Sequence, residues 1–309
     1  MTHIQWFPGH MHKARKEMEK VLPRVDLIIE VLDARIPFSS ENPMIGELAG
    51  DKPCIKILNK SDLADPQATQ IWQDFFEASQ HVKSLATRSD EPDNIRKIST
   101  LCRKMLPAGE QDFRPLHTMI MGIPNVGKST IINILAGRTI AKTGNEPAVT
   151  KAQQRIKLDN GISLSDTPGV LWPNLENSNS GFRLAMTGAI KDTALEHVEV
   201  ALFAADFFLH NHPEKLQARY QLDELPANDL AALEAIGKKR GCLGSGGLVD
   251  LDRVAKILLS EYRAGMLGRF TLETPQVMQQ ELAELEIIRA QKAEKKRLRQ
   301  EGRKKKSRR

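Results

Sequence analysis

Strand-length apolar runs alternate with helical patterns along the first half of the chain, and only helical patterns follow. Asp26 to Ala34 (DLIIEVLDA) and Pro53 to Leu58 (PCIKIL) are short, nearly continuous apolar runs. That is how strands buried on both faces read. Leu116 to Met121 (LHTMIM) is a third run and enters a glycine-rich turn. Arg155 to Leu158 and Ile162 to Ser165 flank Asp159-Asn160-Gly161, a hairpin signal. Helices are predicted at about Pro66 to Gln80, Asp93 to Leu106 and Ser129 to Ala136. Strands interleaved with helices predict an α/β sheet flanked by helices.

Past about Ser178 the strand signals stop. Leu195, Val198, Leu202 and Phe203 have helical spacing. So do Leu230, Leu233 and Ile236, and, after the glycine-rich break Gly241 to Gly247, Val254, Ile257, Leu258 and Tyr262. The expected organisation is an α/β domain over 1–177, an all-helical domain over 178–275 and a tail over 276–309. The tail begins amphipathic, with Leu282, Leu285 and Ile288, and then turns basic. There is no internal repeat.

Composition narrows the function classes. Of 309 residues, 40% are hydrophobic and 27% charged, as in a soluble globular protein. Cys54, Cys102 and Cys242 lie far apart with no metal-ligand spacing, which speaks against a disulfide framework or zinc site and fits a reducing cytoplasm. No apolar run reaches bilayer-spanning length. Met1 to Lys20 has no signal-peptide pattern, so the mature chain is expected to begin near Met1. The net charge of +6 is concentrated at one end: Arg289 to Arg309 holds 12 Lys or Arg against 2 Asp or Glu, leaving −4 for the rest. Such a block is a solvated tail or a contact for a polyanion. Lys238, Lys239 and Arg240 form a second basic cluster, at an expected helix C-terminus where the helix dipole alone explains cations.

Gly122-Ile-Pro-Asn-Val-Gly127-Lys128-Ser129 fits GxxxxGK[ST] between a buried strand and a helix. Glycines let backbone N–H groups of Asn125, Val126, Gly127 and the following Ser129 and Thr130 curl around phosphate oxygens. The helix N-terminus adds partial positive charge. Lys128 is expected to reach the β- and γ-phosphates and Ser129 to ligate magnesium. Asp166-Thr-Pro-Gly169 follows at a strand end and fits DxxG, in which Asp166 holds magnesium through water and the Gly169 N–H senses the γ-phosphate.

Asn59-Lys60-Ser61-Asp62 ends the second strand and fits NKxD. A carboxylate at Asp62 can accept from both N1–H and the 2-amino group of guanine, a donor pair adenine lacks. Asn59 orients the loop and the Lys60 stem covers the ring. Ser84-Leu-Ala86-Thr87 is similar to the loop whose backbone supports the base. In conventional GTPases the base motifs come last; here they precede the phosphate loop. A sheet can keep one site through such a circular permutation, with termini rejoined and reopened at a surface loop. The segment after Gly169 then leads straight into the helical domain, a short route by which nucleotide state could reposition it.

With these motifs in this order, and with Ile4-Gln5-Trp6-Phe7-Pro8-Gly9-His10-Met11, Asp33-Ala34-Arg35-Ile36-Pro37 and Val170-Leu171-Trp172-Pro173 beside them, the chain resembles the YlqF family of circularly permuted GTPases over nearly its whole length. The resemblance implies a cytoplasmic, monomeric GTPase that binds a late precursor of the large ribosomal subunit and aids its maturation, and a helical C-terminal domain on ribosomal RNA; DNA and membranes are not among the implied partners. It implies Thr150 as the switch threonine for magnesium and γ-phosphate. It implies His10 as the group that positions or deprotonates water, since Val170 stands where many GTPases carry glutamine. Turnover is then slow alone and faster with the subunit. Asn125 is implied as a ligand for potassium beside the phosphates. Pro147-Ala-Val-Thr150 followed by Lys151 departs from the usual PGIT and hydroxyl residue.

Two other function classes stay open from the residues. One is a GTPase acting on a different RNA substrate. The other is a GTP-dependent RNA-binding module with little turnover.

Overall fold

The computed structural model describes residues 16–43, 46, 50–106, 115–141, 154–158, 160–169, 171, 176–194 and 196–306. Six strands form one sheet: β1 Leu27–Asp33, β2 Cys54–Asn59, β3 Val82–Ala86, β4 Leu116–Gly122, β5 Gln154–Lys157 and β6 Ile162–Asp166. Their order is β3-β2-β1-β4-β6-β5, parallel throughout except for the antiparallel β5–β6 pair. The chain steps from β1 outward through β2 to β3, then returns to β4 on the other side of β1. The strand order therefore reverses between β1 and β4, where open α/β sheets bind ligands at the carboxyl ends of their strands.

Every residue of β1 is buried, including Glu30. A charge there needs a partner, and the register supplies it. Glu30 stands opposite Lys56 on β2, with Nζ to Oε2 at 2.8 Å, and Lys56 also reaches Glu41 at 2.6 Å. Burial raises the Glu30 pKa; the two carboxylates raise that of Lys56 against its own burial.

The helix Pro66–Glu77 starts on a proline behind the N-cap Asp65, which accepts from Ala68 N at 2.7 Å. It stops short of the Gln80 expected from the sequence. The helices Pro92–Lys104 and Lys128–Ala136 cover the other two predicted stretches to within two residues.

Beyond β6 the described elements are helical: Ser178–Met186, His197–Asn211, Pro213–Tyr220, Asp229–Lys239, Leu251–Arg263 and Pro275–Lys306, with short single-turn pieces between them. Except for Pro275–Lys306, their apolar faces join the buried cluster that covers the sheet, so one core runs through both halves. Val198, Leu202, Phe203, Leu233, Ile236, Val254, Ile257, Leu258 and Tyr262 pack there as their spacing predicts. Leu230 does not; it is exposed, and Leu195 lies outside the described residues.

The amphipathic start of the tail also packs differently from the expected stripe. Met278 joins Trp72 and Phe76 in a second cluster, Leu285 is buried, and Leu282 and Ile288 are exposed. Arg183 sits between Glu273, at 3.1 Å, and Glu281, at 2.6 Å, and ties the final helix to Ser178–Met186. Among the described residues no helix is long and apolar enough to cross a membrane.

Candidate nucleotide site

The motifs meet at one edge of the sheet because the strand register brings their ends level. Asp33 pairs with Asn59, Val31 with Gly122, Ile120 with Asp166 and Leu58 with Ala86. All lie at carboxyl ends.

On the phosphate side, the Lys128–Ala136 helix begins after Gly127, whose φ of 99° lies in the left-handed region. A Cβ on Gly127 would stand 2.2 Å from Asn59 Nδ2. Ser129 and Thr130 occupy the first turn, where N–H groups have no partner within the helix. Lys128 is buried and donates to the carbonyls of Gly122 at 3.3 Å and Ile123 at 3.5 Å. Burial pushes its ammonium down to about 8, against the attraction of Asp166. Burial pushes the Asp166 carboxyl up to about 6, against the attraction of Lys128. Asp166 Oδ1 is buried without a hydrogen-bond partner among the described residues. Gly169 abuts the loop: a Cβ there would meet Pro124 Cα at 2.9 Å and Lys128 Nζ at 3.2 Å. Asn125 has φ of 58° and donates from Nδ2 to Gly188 O at 2.7 Å, joining the loop to the helical region.

On the base side, Asn59 is held at both ends of its amide. Nδ2 donates to Val126 O at 2.8 Å, and Oδ1 accepts from Thr87 Oγ1 at 3.0 Å. The Thr87 carbonyl accepts from Ser61 N and Ser61 Oγ, at 3.1 and 3.0 Å. Lys60 adopts φ of 59° and donates to Asp33 Oδ2 at 3.0 Å. Asp62 is half-buried in the field of Lys60, Arg35 and Arg88, and its carboxylate accepts no hydrogen bond among the described residues.

Ser84 corrects the sequence reading. It lies inside β3, not in a loop, and its hydroxyl donates to Glu77 Oε1 at 3.0 Å, on the helix side of the sheet. Ala86 closes the strand, with its carbonyl bound by Asn94, and only Thr87 begins the loop. The Lys238 to Arg240 cluster is also largely neutralised: Lys239 pairs with Asp223 at 2.9 Å and Arg240 with Glu261 at 2.6 Å. His10, Thr150 and Val170 lie outside the described residues.

Asp33 and Arg35 are site residues to which the sequence alone assigns no role. Arg35 grips Asp33 bidentately at 2.9 and 2.7 Å. Burial pushes the Asp33 carboxyl up, but Arg35 and Lys60 outweigh it and hold it well below the usual carboxylate range. The available signal was an acidic residue ending a buried strand beside the NKxD strand.

Over 287 residues the chain is 45% identical to ribosome biogenesis GTPase A of Priestia megaterium, spanning 90% of this chain and 99% of that protein. The chain belongs to the ribosome biogenesis GTPase A, or YlqF, family. The Thermotoga maritima member is 31% identical over 88% of this chain and 95% of its own length. Mitochondrial ribosome-associated GTPase 1 of Mus musculus is 33% identical over 87% and 90%. The solved GDP-bound YlqF of T. maritima superposes with a TM-score of 0.61 at 28% identity, covering 84% of this chain and 99% of that one. Residues 117–235 match the family described as 50S ribosome-binding GTPase. Membership makes the protein a circularly permuted P-loop GTPase that hydrolyses GTP to GDP, and such GTPases usually work with Mg2+.

Proposed function

We propose that this GTPase binds a late precursor of the large ribosomal subunit through its RNA and couples GTP binding and hydrolysis to the precursor's maturation. The names of its relatives support ribosome-related work, and the basic tail suits phosphate contact. One observation carries the nucleotide assignment: Asn59, from a strand early in the chain, closes onto the Val126 carbonyl of the phosphate loop at 2.8 Å, so base motif and phosphate motif share one pocket.

Within it, Asp62 accepts the two guanine donors, the Lys60 stem covers the ring, and Asn59 and Thr87 fix the loop. Ala86 supplies backbone support, while Ser84 acts only through its strand. Asn125, Val126, Gly127, Ser129 and Thr130 offer backbone N–H groups to phosphate oxygens, and Gly169 meets the γ-phosphate. Mg2+, when bound, neutralises developing charge on the phosphates. The orphaned buried oxygen of Asp166 fits it, and the hydroxyls of Ser129 and Thr150 would complete its ligand set. Lys128 gives up its carbonyl contacts to hold phosphate oxygens. His10 positions or deprotonates the water, and turnover is slow until the subunit is present. Asn125 would hold K+ through its Oδ1, adding positive charge to the site. The GTPase domain spans 1–177, the helical domain 178–275 and the tail 276–309, and the protein works as a cytoplasmic monomer.

Co-sedimentation with large-subunit precursors in GDP and in a non-hydrolysable GTP analogue tests the partner, and equal absence from both pellets removes it. Turnover of His10→Ala with the precursor present tests the water-positioning role. Equal rates in potassium and sodium chloride remove the potassium ligand. Like scattering profiles in the two nucleotide states count against repositioning of the helical region.

A further inference from the structure

Residues 268–273 leave the helical region and return to the carboxyl edge of the sheet, where they lie along the NKxD loop. Arg269 donates from NH2 to Ser61 O at 2.9 Å and from Nε to Ala64 O at 3.0 Å. Phe270 N donates to Leu63 O at 3.0 Å. Thr271 Oγ1 accepts from Asp65 N and donates to Ala34 O, both at 3.2 Å. Leu272 N donates to Arg35 O at 2.8 Å. Ser61, Leu63, Ala64 and Asp65 are thus each held by a segment some 200 positions later in the chain. The Asp62 carboxylate in their midst takes no hydrogen bond among the described residues. A loop clamped on both sides of one open acceptor is preorganised for a ligand that brings the donors.

We propose that Arg269 is a positioning residue for guanine recognition. By gripping the carbonyls of Ser61 and Ala64 it sets the backbone that aims Asp62 at the base, so discrimination at the base depends on how the segment from the helical region is seated. This rests on the reading of Asp62 as the base-reading carboxylate. Because the Arg269 side chain lies at the surface, its removal leaves the core intact. Two side-chain donors to backbone carbonyls, one of them on buried Ala64, are worth a modest factor in affinity, not an all-or-none effect.

The test uses the full-length protein and calorimetric titration with GDP and with IDP, whose hypoxanthine lacks the 2-amino donor. Arg269→Ala is expected to weaken GDP about fivefold and IDP less, narrowing the GDP-to-IDP ratio, in a protein that still unfolds cooperatively. Arg269→Lys, which keeps one donor, is expected to recover part of the ratio, and Thr271→Val to move it the same way as Arg269→Ala. Equal weakening of GDP and IDP, or no change in either, overturns the proposal. Asp62→Asn separates the two layers: its amide donates to the C2 carbonyl of xanthine and its oxygen accepts from N1–H, so preference should pass to XDP. If that passage occurs while Arg269→Ala leaves the ratio alone, only the Arg269 role fails. If it does not occur, the base-reading assignment fails and takes the Arg269 role with it.

Discussion

Lys128 and Asp166 face the same buried space and attract each other, yet neither satisfies the other. The ammonium donates to the carbonyls of Gly122 and Ile123, and the carboxylate keeps one oxygen unpartnered among the described residues. Both are pushed toward neutrality by burial, Lys128 to about 8 and Asp166 to about 6. A fold tolerates such a pair when a ligand with charges of both signs completes it, here the phosphates and the metal proposed for the pocket.

The sign of the Asp166 shift makes a pH prediction for nucleotide-free protein. Its folded pKa lies above the ordinary 3.8. The proton therefore favours the folded state, and this group's contribution is fully present below that ordinary value and lost as pH rises through about 6. The loss is at most about 3 kcal/mol, at roughly 1.4 kcal/mol per unit. Asp166→Asn should remove it. Urea midpoints of both proteins at about pH 4.5 and about pH 7 check this, and parallel slopes reject it.

Gly127→Ala should reduce nucleotide affinity by at least about tenfold. The left-handed φ opposes any side chain, and the new methyl would drive Asn59 Nδ2 away from Val126. Both sides of the pocket move, so GDP and GTP analogues should weaken together in equilibrium titration. Selective loss of one nucleotide would contradict the shared-pocket reading.

Arg183→Ala should destabilise the fold by about 3–5 kcal/mol, because it leaves Glu273 and Glu281 buried without their cation. Glu273 is already pushed up by burial and depends on Arg183 to counter it. Denaturant unfolding measures the change; a cost under about 1 kcal/mol would show that this buried cluster is not holding the last helix.

Deleting 289–309 removes 12 basic and 2 acidic residues. If the tail contacts RNA, the log–log salt slope of binding to large-subunit RNA should become shallower by several units, on the order of 5, with affinity falling most at low salt. Binding curves at a series of potassium chloride concentrations decide it, and an unchanged slope marks the tail as a solubilising extension.

The order of elements and the motifs were legible in the chain by itself. Apolar runs of strand length marked β1, β2 and β4, since strand burial is a local pattern of side chains, and the turn Asp159-Asn160-Gly161 marked the β5–β6 hairpin. GIPNVGKS, DTPG and NKSD were readable because phosphate and guanine chemistry demands fixed residue types at fixed short spacings. Even the permutation was visible, as nothing more than the sequence order of those motifs. What only the tertiary structure decided was who meets whom across long separations. Ser84 belongs to a strand facing Glu77, because β3 stays paired with β2 through Ala86. The charges of Lys239 and Arg240 are answered by Asp223 and Glu261. Asn59 finds Val126, and Arg269 finds Ser61 and Ala64, only after strand register and the return of the last helices bring them together. Local spacing encodes what each segment can do; the long-range hydrogen bonds that aim those segments at one another carry no local signature, since any carbonyl can accept them.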